Sequence, residues 1–273
     1  MRRVALLSPT WRLVAAALVA VSLATLPTYL VALVVLPPVP PIVMIRSFLV
    51  GTALPWLVAV GIFRAFAGTV EVAGGTLRLR RGDVDVDVPL ASIATVRPWR
   101  VSLPRPGIGF VLGSGRRLPL GVALDRPATL LDALAQAGVD VRDARRRPSV
   151  VHAETRRAPS AWRWLAKFVV FGVVPASILF YTHQHIAYGG TFGQWNLEGL
   201  GPYLRTFWEY WGTTIVLLVS WASLWRAAGE VTVFATAAAW PAWAPTVRRV
   251  VEWACAIAYW GGVPALLVLR YAA

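Results

Sequence analysis

Long apolar runs constrain this chain more than any other feature. Residues 11–36, WRLVAAALVAVSLATLPTYLVALVVL, carry Arg12 as their single charge. A membrane-spanning helix needs about 20 predominantly apolar residues. A second run covers 42–66, with Arg46 close enough to one end for its guanidinium to snorkel to the interface. Further candidates lie at 163–182, 207–227 and 249–270, so the sequence predicts about five transmembrane helices. Composition agrees: 15% of residues are charged, against about 25% in an average soluble domain. The first run is too long, and too soon followed by the second, to read as a simple cleaved signal peptide.

Charge sets an orientation for those spans. Arg2, Arg3 and Arg12 flank the first, and PPVPP at 37–41 has no charge. Residues 64–167 hold 18 of the 27 basic residues, whereas 183–206 contain only Glu198 and Arg205. Basic residues collect on cytoplasmic loops. This places the N-terminus and the middle segment in the cytoplasm, the 183–206 loop outside, and the C-terminus outside. The stretch 229–247, uncharged after Glu230, reads as an interfacial or partly re-entrant segment because Pro241 and Pro245 interrupt it. A sixth, short span is the competing reading.

Between Gly68 and about Asp140 the pattern changes to short strands punctuated by Gly, Pro and Ser. The segments are 69–73, 76–81, 83–90, 93–101, 107–113 and 116–122. DRPATLLDALAQAGVDV then reads as a helix, with Asp125 as N-cap, Pro127 in the first turn and Gly138 as the stop. Leu130, Leu131 and Leu134 give it one apolar face. A two-residue turn at Arg81-Gly82 sets Arg80 opposite Asp83, Arg78 opposite Asp85, Leu79 opposite Val84 and Leu77 opposite Val86. A slightly longer turn stays open, because Arg-Gly is an uncommon hairpin pair.

The stretch LRLRRGDVDVDVPLASIATVRPW, with its Ile93/Val96 step, and the closing LPLGVALDRPATLLDAL resemble the bacterial pleckstrin-homology-like (PH-like) domain over about 75 residues. The resemblance implies a small sheet sandwich or partial barrel capped by one helix. It also implies a binding or assembly module joined to membrane spans rather than an enzyme. No motif maps onto a phosphoinositide pocket.

Four groups of residues are candidates for chemistry. Arg145, Arg146, Arg147, Arg156 and Arg157 lie in a basic segment beside the predicted membrane, where each basic residue attracts anionic lipid by about 1 kcal/mol; the plainer reading is that they only set topology. His183 and His185, with Glu198 and Glu209 nearby in sequence, are weak candidates for a metal or proton site. Two interfacial histidines bonding headgroups or loop backbone would look the same. His152 belongs to the cytoplasmic segment and so cannot join that pair. Glu252 follows Arg248 by four residues, the spacing of a helical ion pair. Last, FGVVPASIL at 171–179 and WGGVPALLV at 260–268 share a proline and small residues four apart, a helix-packing pattern. Cys255, alone among apolar neighbours, reads as an inert thiol. No Gly-rich phosphate loop, Ser/His/Asp elbow, HExxH or CxxC occurs.

The sequence thus predicts a polytopic inner-membrane protein with an inserted cytoplasmic PH-like domain. Its parts are transmembrane helices 1–2 (1–67), the PH-like β domain (68–142), a basic linker (143–161) and helices 3–5 (162–273). The leading function is a membrane scaffold, assembly factor or accessory subunit without a cofactor. Its expected partners are anionic lipids, a partner protein or a second copy, and not nucleic acid. The alternative is a component of a membrane enzyme or transporter using the outer loop around His183 and His185.

Overall fold

The computed structural model describes residues 2–35, 39–100, 102–156 and 160–265. In chain order the elements are β1 (Arg2–Leu7), α1 (Pro9–Val35), α2 (Pro41–Phe48), α3 (Leu54–Ala65), β2 (Ala67–Ala73), β3 (Thr76–Arg81), β4 (Val84–Pro89), β5 (Ile93–Pro98), β6 (Gly107–Leu112) and β7 (Gly121–Ala123). Helices then follow: α4 (Pro127–Gln136), α5 (Arg142–Arg145), α6 (Pro148–Thr155), α7 (Ala161–Trp164), α8 (Val173–Tyr188), α9 (Gly193–Glu198), α10 (Leu200–Ala239) and α11 (Ala244–Trp260). Two compact units result. The first is Met1–Val21, Pro55–Arg156 and Gly229–Val251; the second is Ser22–Leu54, Arg157–Ala228 and Glu252–Ala273.

The first unit is organised by one seven-stranded sheet in the order β4-β3-β2-β1-β7-β6-β5, antiparallel throughout. Its central strand is the N-terminal one. Arg3 pairs with Thr69 of β2, and Ala5 pairs with both Ala67 and Ala123 of β7. Arg2 and Arg3 are therefore strand residues and not merely a charged flank of the first span. Without β1, the strands β2 and β7 would each present an unpaired edge. Both faces of β1 are covered. Val4 and Leu6 join Val70, Leu79, Ile108 and the leucines of α4 in the main core. Ala5 and Leu7 pack instead with Ala15 of α1, Phe63 of α3, Trp99 and Ala123.

The β module is accordingly wider than the predicted 68–142. It takes in β1, the ends of the first two candidate spans, and the segment expected to be a linker, whose Ala144 and Val150 are buried in the same core. Residues 229–247 are not a separate interfacial helix. They form the last turns of the 40-residue α10, a break at Trp240–Trp243 and the start of α11.

The expected β3–β4 hairpin forms with its register moved by two. Arg78 pairs with Asp87, Arg80 with Asp85, Leu79 with Val86 and Leu77 with Val88. The turn is Gly82-Asp83, with φ +54° at Gly82 and no positive φ at Asp83, the pattern of a type II′ turn. Glycine takes the first central position there without a Cβ clash, and Arg81 cannot. A shift of two keeps every side chain on its expected face. In α4 the leucines are buried as expected, and Gly138 ends the helix at φ +87°. The N-cap is Arg126; Asp125 sits one residue earlier and pairs with Arg105 at 3.7 Å.

Three helical stretches are long and apolar enough to cross a membrane: Pro9–Leu33, Pro41–Ala65 and Ala161–Tyr188. They match the first three predicted spans. The fourth lies within α10, where Trp, Tyr, Ser and Thr dilute the apolar run. The fifth ends in residues 266–270, outside the described residues.

In the second unit, two of the three stretches contain a π-helical turn, at Leu49–Ala53 and Leu165–Val170. Pro55 has no N–H to give the Gly51 carbonyl, which the Thr25 hydroxyl meets at 3.4 Å. The Ser22 hydroxyl donates to the Thr52 carbonyl at 2.8 Å, and the Thr25 hydroxyl lies 2.7 Å from that of Thr52. At the second turn, the Trp211 indole donates to the Val169 carbonyl at 3.1 Å and the Tyr259 hydroxyl to the Lys167 carbonyl at 2.6 Å. Backbone loosened inside a membrane requires such donors.

Candidate functional site

The most chemistry-rich cluster in the first unit lies among α6, the end of α10 and the start of α11. Pro148 fits the first turn of α6, and the helix carries His152 inward at 5% exposure. On α10, Glu230, Val233, Phe234 and Ala237 follow helical spacing, and Val233 and Ala237 are fully buried. On α11, Arg248 follows the buried Ala244 by one turn and is itself 3% exposed.

Arg248 grips Glu230 with both ends of its fork. Nη1 donates to Oε1 at 2.7 Å and Nη2 to Oε2 at 3.0 Å. Nε lies 3.3 Å from the Thr155 hydroxyl, which itself donates to the His152 carbonyl at 2.8 Å. His152 Nε2 is 2.8 Å from Glu230 Oε2 and 3.3 Å from Arg248 Nη2. A guanidinium nitrogen only donates, so Nε2 bonds Arg248 in the tautomer where it accepts and Glu230 where it carries the hydrogen. The edge of Phe234 closes the ring at 5.6 Å, and Arg156 adds a second cation 4.0 Å from Glu230. One carboxylate thus serves two guanidinium groups and an imidazole.

A carboxylate that orients a histidine is half of an acid–base relay. The other half is a nucleophile at Nδ1. That atom is buried, and among the described residues it has no hydrogen-bond partner. What the contacts show is a clasp that joins α6 to the α10–α11 turn. A bidentate, mostly buried pair of this kind is costly to break from one side.

The five predicted arginines do not form one patch. Arg145 is paired with Asp132, and Arg156 faces Glu230. Arg146 and Arg147 are exposed, and Arg157 is outside the described residues. Beside Arg145, burial and the nearby Asp132 raise the Glu154 carboxyl above its ordinary range. Asp140 shows the reverse: hydrogen bonds from the Arg142 side chain and backbone lower it to about 2.

His183 and His185 lie near the end of α8. Residues two apart on a helix diverge by roughly 200°, and these two do not converge. His183 packs on Tyr210 at 5.2 Å, while His185 stacks on Tyr181 at 4.0 Å with Nδ1 3.0 Å from its carbonyl. Among the described residues, no group of three or more His, Cys, Asp or Glu side chains is placed to hold a metal ion. The loop is closed instead by buried Gln184 and Gln194, joined at 2.9 Å. Gln194 then reaches Glu198 at 2.9 Å and Thr206 at 3.1 Å.

The sequence missed the clasp. Its partners are 78 and 96 residues apart, so no spacing reveals them. One signal was available: Glu230 is the single acid in a long apolar stretch, and such a charge demands a partner. No protein-family model, no curated protein and no solved structure matches this chain.

Proposed function

We propose that this chain is a multi-pass membrane scaffold or accessory subunit whose cytoplasmic sheet module docks a partner protein or the anionic membrane surface. In this reading five helices cross a bacterial inner membrane, the module is PH-like, and the C-terminus lies outside. The seven antiparallel strands followed by α4 support the PH-like assignment, and the arginine excess of residues 64–167 supports the orientation.

One observation carries the proposal. The sheet's central strand is separated from the first candidate span only by Ser8, and β2 starts two residues after the second. Leu7 and Ala5 then pack on Ala15 and Phe63 of those same helices. The module is a platform fixed to its anchor, without a flexible tether. That suits holding a partner at a set height above a bilayer.

The test is purification of the full chain from its native membrane in mild detergent, wild type against Leu6→Asp, with co-purifying proteins and lipids identified. The reading expects the variant to stay membrane-integrated and to lose its partners. An unchanged partner set contradicts it.

A further inference from the structure

Three arginines from three regions of the chain each lie over a different ring of one aromatic cluster. Phe63, Phe66 and Trp99 belong to a single packed group with Ala5, Leu7 and Ala15. The Arg12 guanidinium, from α1, lies 4.4 Å from the Trp99 ring centre. Arg81, at the end of β3, lies 4.8 Å from Phe66, and Arg105, between β5 and β6, lies 5.4 Å from Phe63. Trp11 stacks on Phe66 at 5.4 Å and is 45% exposed.

The chain fixes the level of this collar. Arg12 is in the first turn of the first candidate span, and Phe63 is in the last turn of the second. Both ends lie on the same side, where aromatic belts and phosphate headgroups sit. Stacking on a ring holds each guanidinium plane and leaves its in-plane N–H groups for an anion. Arg81 uses one of them on the Leu6 carbonyl at 3.1 Å, and Arg105 has Asp125 at 3.7 Å. Among the described residues, Arg12 and Arg81 have no carboxylate partner. Two ring-held guanidinium forks without a carboxylate, beside a third whose carboxylate is exposed and 3.7 Å away, leave N–H groups for a phosphate oxygen.

We infer that Arg12, Arg81 and Arg105 bind the phosphate of an anionic phospholipid headgroup at the junction of the sheet and the first two spans. This rests on the membrane reading above and names the lipid contact within it. The bound headgroup supplies the negative charge that Arg12 and Arg81 lack among the described residues. It also ties the height of the module to the leaflet surface.

The test reconstitutes the full chain in nanodiscs made from equal parts of phosphatidylcholine and phosphatidylglycerol, then counts retained lipids after mild extraction by native mass spectrometry. Wild type is expected to retain phosphatidylglycerol preferentially. Each of Arg12→Gln, Arg81→Gln and Arg105→Gln is expected to reduce that preference about fivefold. Arg146→Gln/Arg147→Gln is expected to leave it unchanged. No preference in wild type overturns the inference, as does an equal loss in the Arg146/Arg147 control, which would mean a diffuse basic surface. Displacement of the lipid by millimolar inorganic phosphate would assign the site to free phosphate and overturn the lipid. Wild type needs no folding control; for the variants, Arg→Lys at the same positions keeps the charge and should recover part of the preference. A carbonate wash separates the two claims. Chain released into the aqueous fraction sinks the membrane reading itself, whereas retained chain without lipid preference sinks only the collar.

Discussion

The β3–β4 hairpin and the α6–α10–α11 clasp are built from the same chemistry, arginine against carboxylate. They differ in reach and in burial. In the hairpin, Arg80 and Asp85 meet across a two-residue turn at 2.9 Å, with side chains 45% and 53% exposed. In the clasp, Arg248 meets Glu230 at 2.7 Å with exposures of 3% and 22%. The hairpin pairs sit in water, which screens them and leaves them free to rearrange. The clasp removed its charges from water when it formed, so each group depends on the others. Local ion pairs decorate this fold and distant ones hold it together. The central strand β1 follows the same rule, since its two neighbours come from residues 67–70 and 121–123.

The comparison breaks most visibly at β1. Leu6 is fully buried between α4 and the sheet, so Leu6→Asp places a charge with no partner in the core. The expected cost exceeds about 4 kcal/mol. The module should lose its protease resistance while the chain remains in the membrane. Next in size is Arg248→Ala, which takes the bidentate, buried partner from Glu230. Removing one partner from a buried pair costs about 3–5 kcal/mol, read as a large drop in melting temperature of the detergent-solubilised chain.

These two sites also mark how far the sequence could be read. The hairpin, the inward faces of Leu77, Leu79 and Val86, and the apolar side of α4 are legible, because period and turn chemistry act over a few residues; Val84, read as inward with them, is exposed beside the turn. The register differs by two from a turn at Arg81-Gly82 because Gly82, at φ +54°, suits the first turn position. Strand β1 was not legible. A strand buried on both faces shows no alternation, and RRVALL merges into the apolar run behind it. Nor were Glu230 and Arg248, whose partners are set by how α6, α10 and α11 pack. The predicted histidine pair fell apart for a related reason: short spacing on a helix is not convergence.

Smaller changes sharpen the contrast. Arg80→Ala in the exposed hairpin should cost only about 0.2–1 kcal/mol, and high salt should remove most of that difference. The clasp variant should respond far less to salt. The smallest expected effect is at Asp140, whose carboxyl is lowered to about 2 by Arg142. A lowered carboxyl pKa stabilises the fold above its unfolded value, about 3.9. That contribution disappears as pH falls through about 2. Asp140→Asn should therefore flatten the slope of stability against pH between about 4 and 2, as read from melting curves, with a small loss at neutral pH and no difference below about 2.

The N-terminal strand lies in the middle of the sheet, one residue before α1. The direct test is disulfide formation in Arg3→Cys/Thr69→Cys, directly opposed on β1 and β2, with Cys255→Ser to remove the native thiol. Thr69→Cys/Arg80→Cys across β2 and β3 is the internal reference. The account predicts that both pairs oxidise readily in native membranes, the non-hydrogen-bonded pair of the two being the faster because its Cα atoms are closer. Oxidation of the 69–80 pair alone, with the 3–69 pair unreactive, would contradict it.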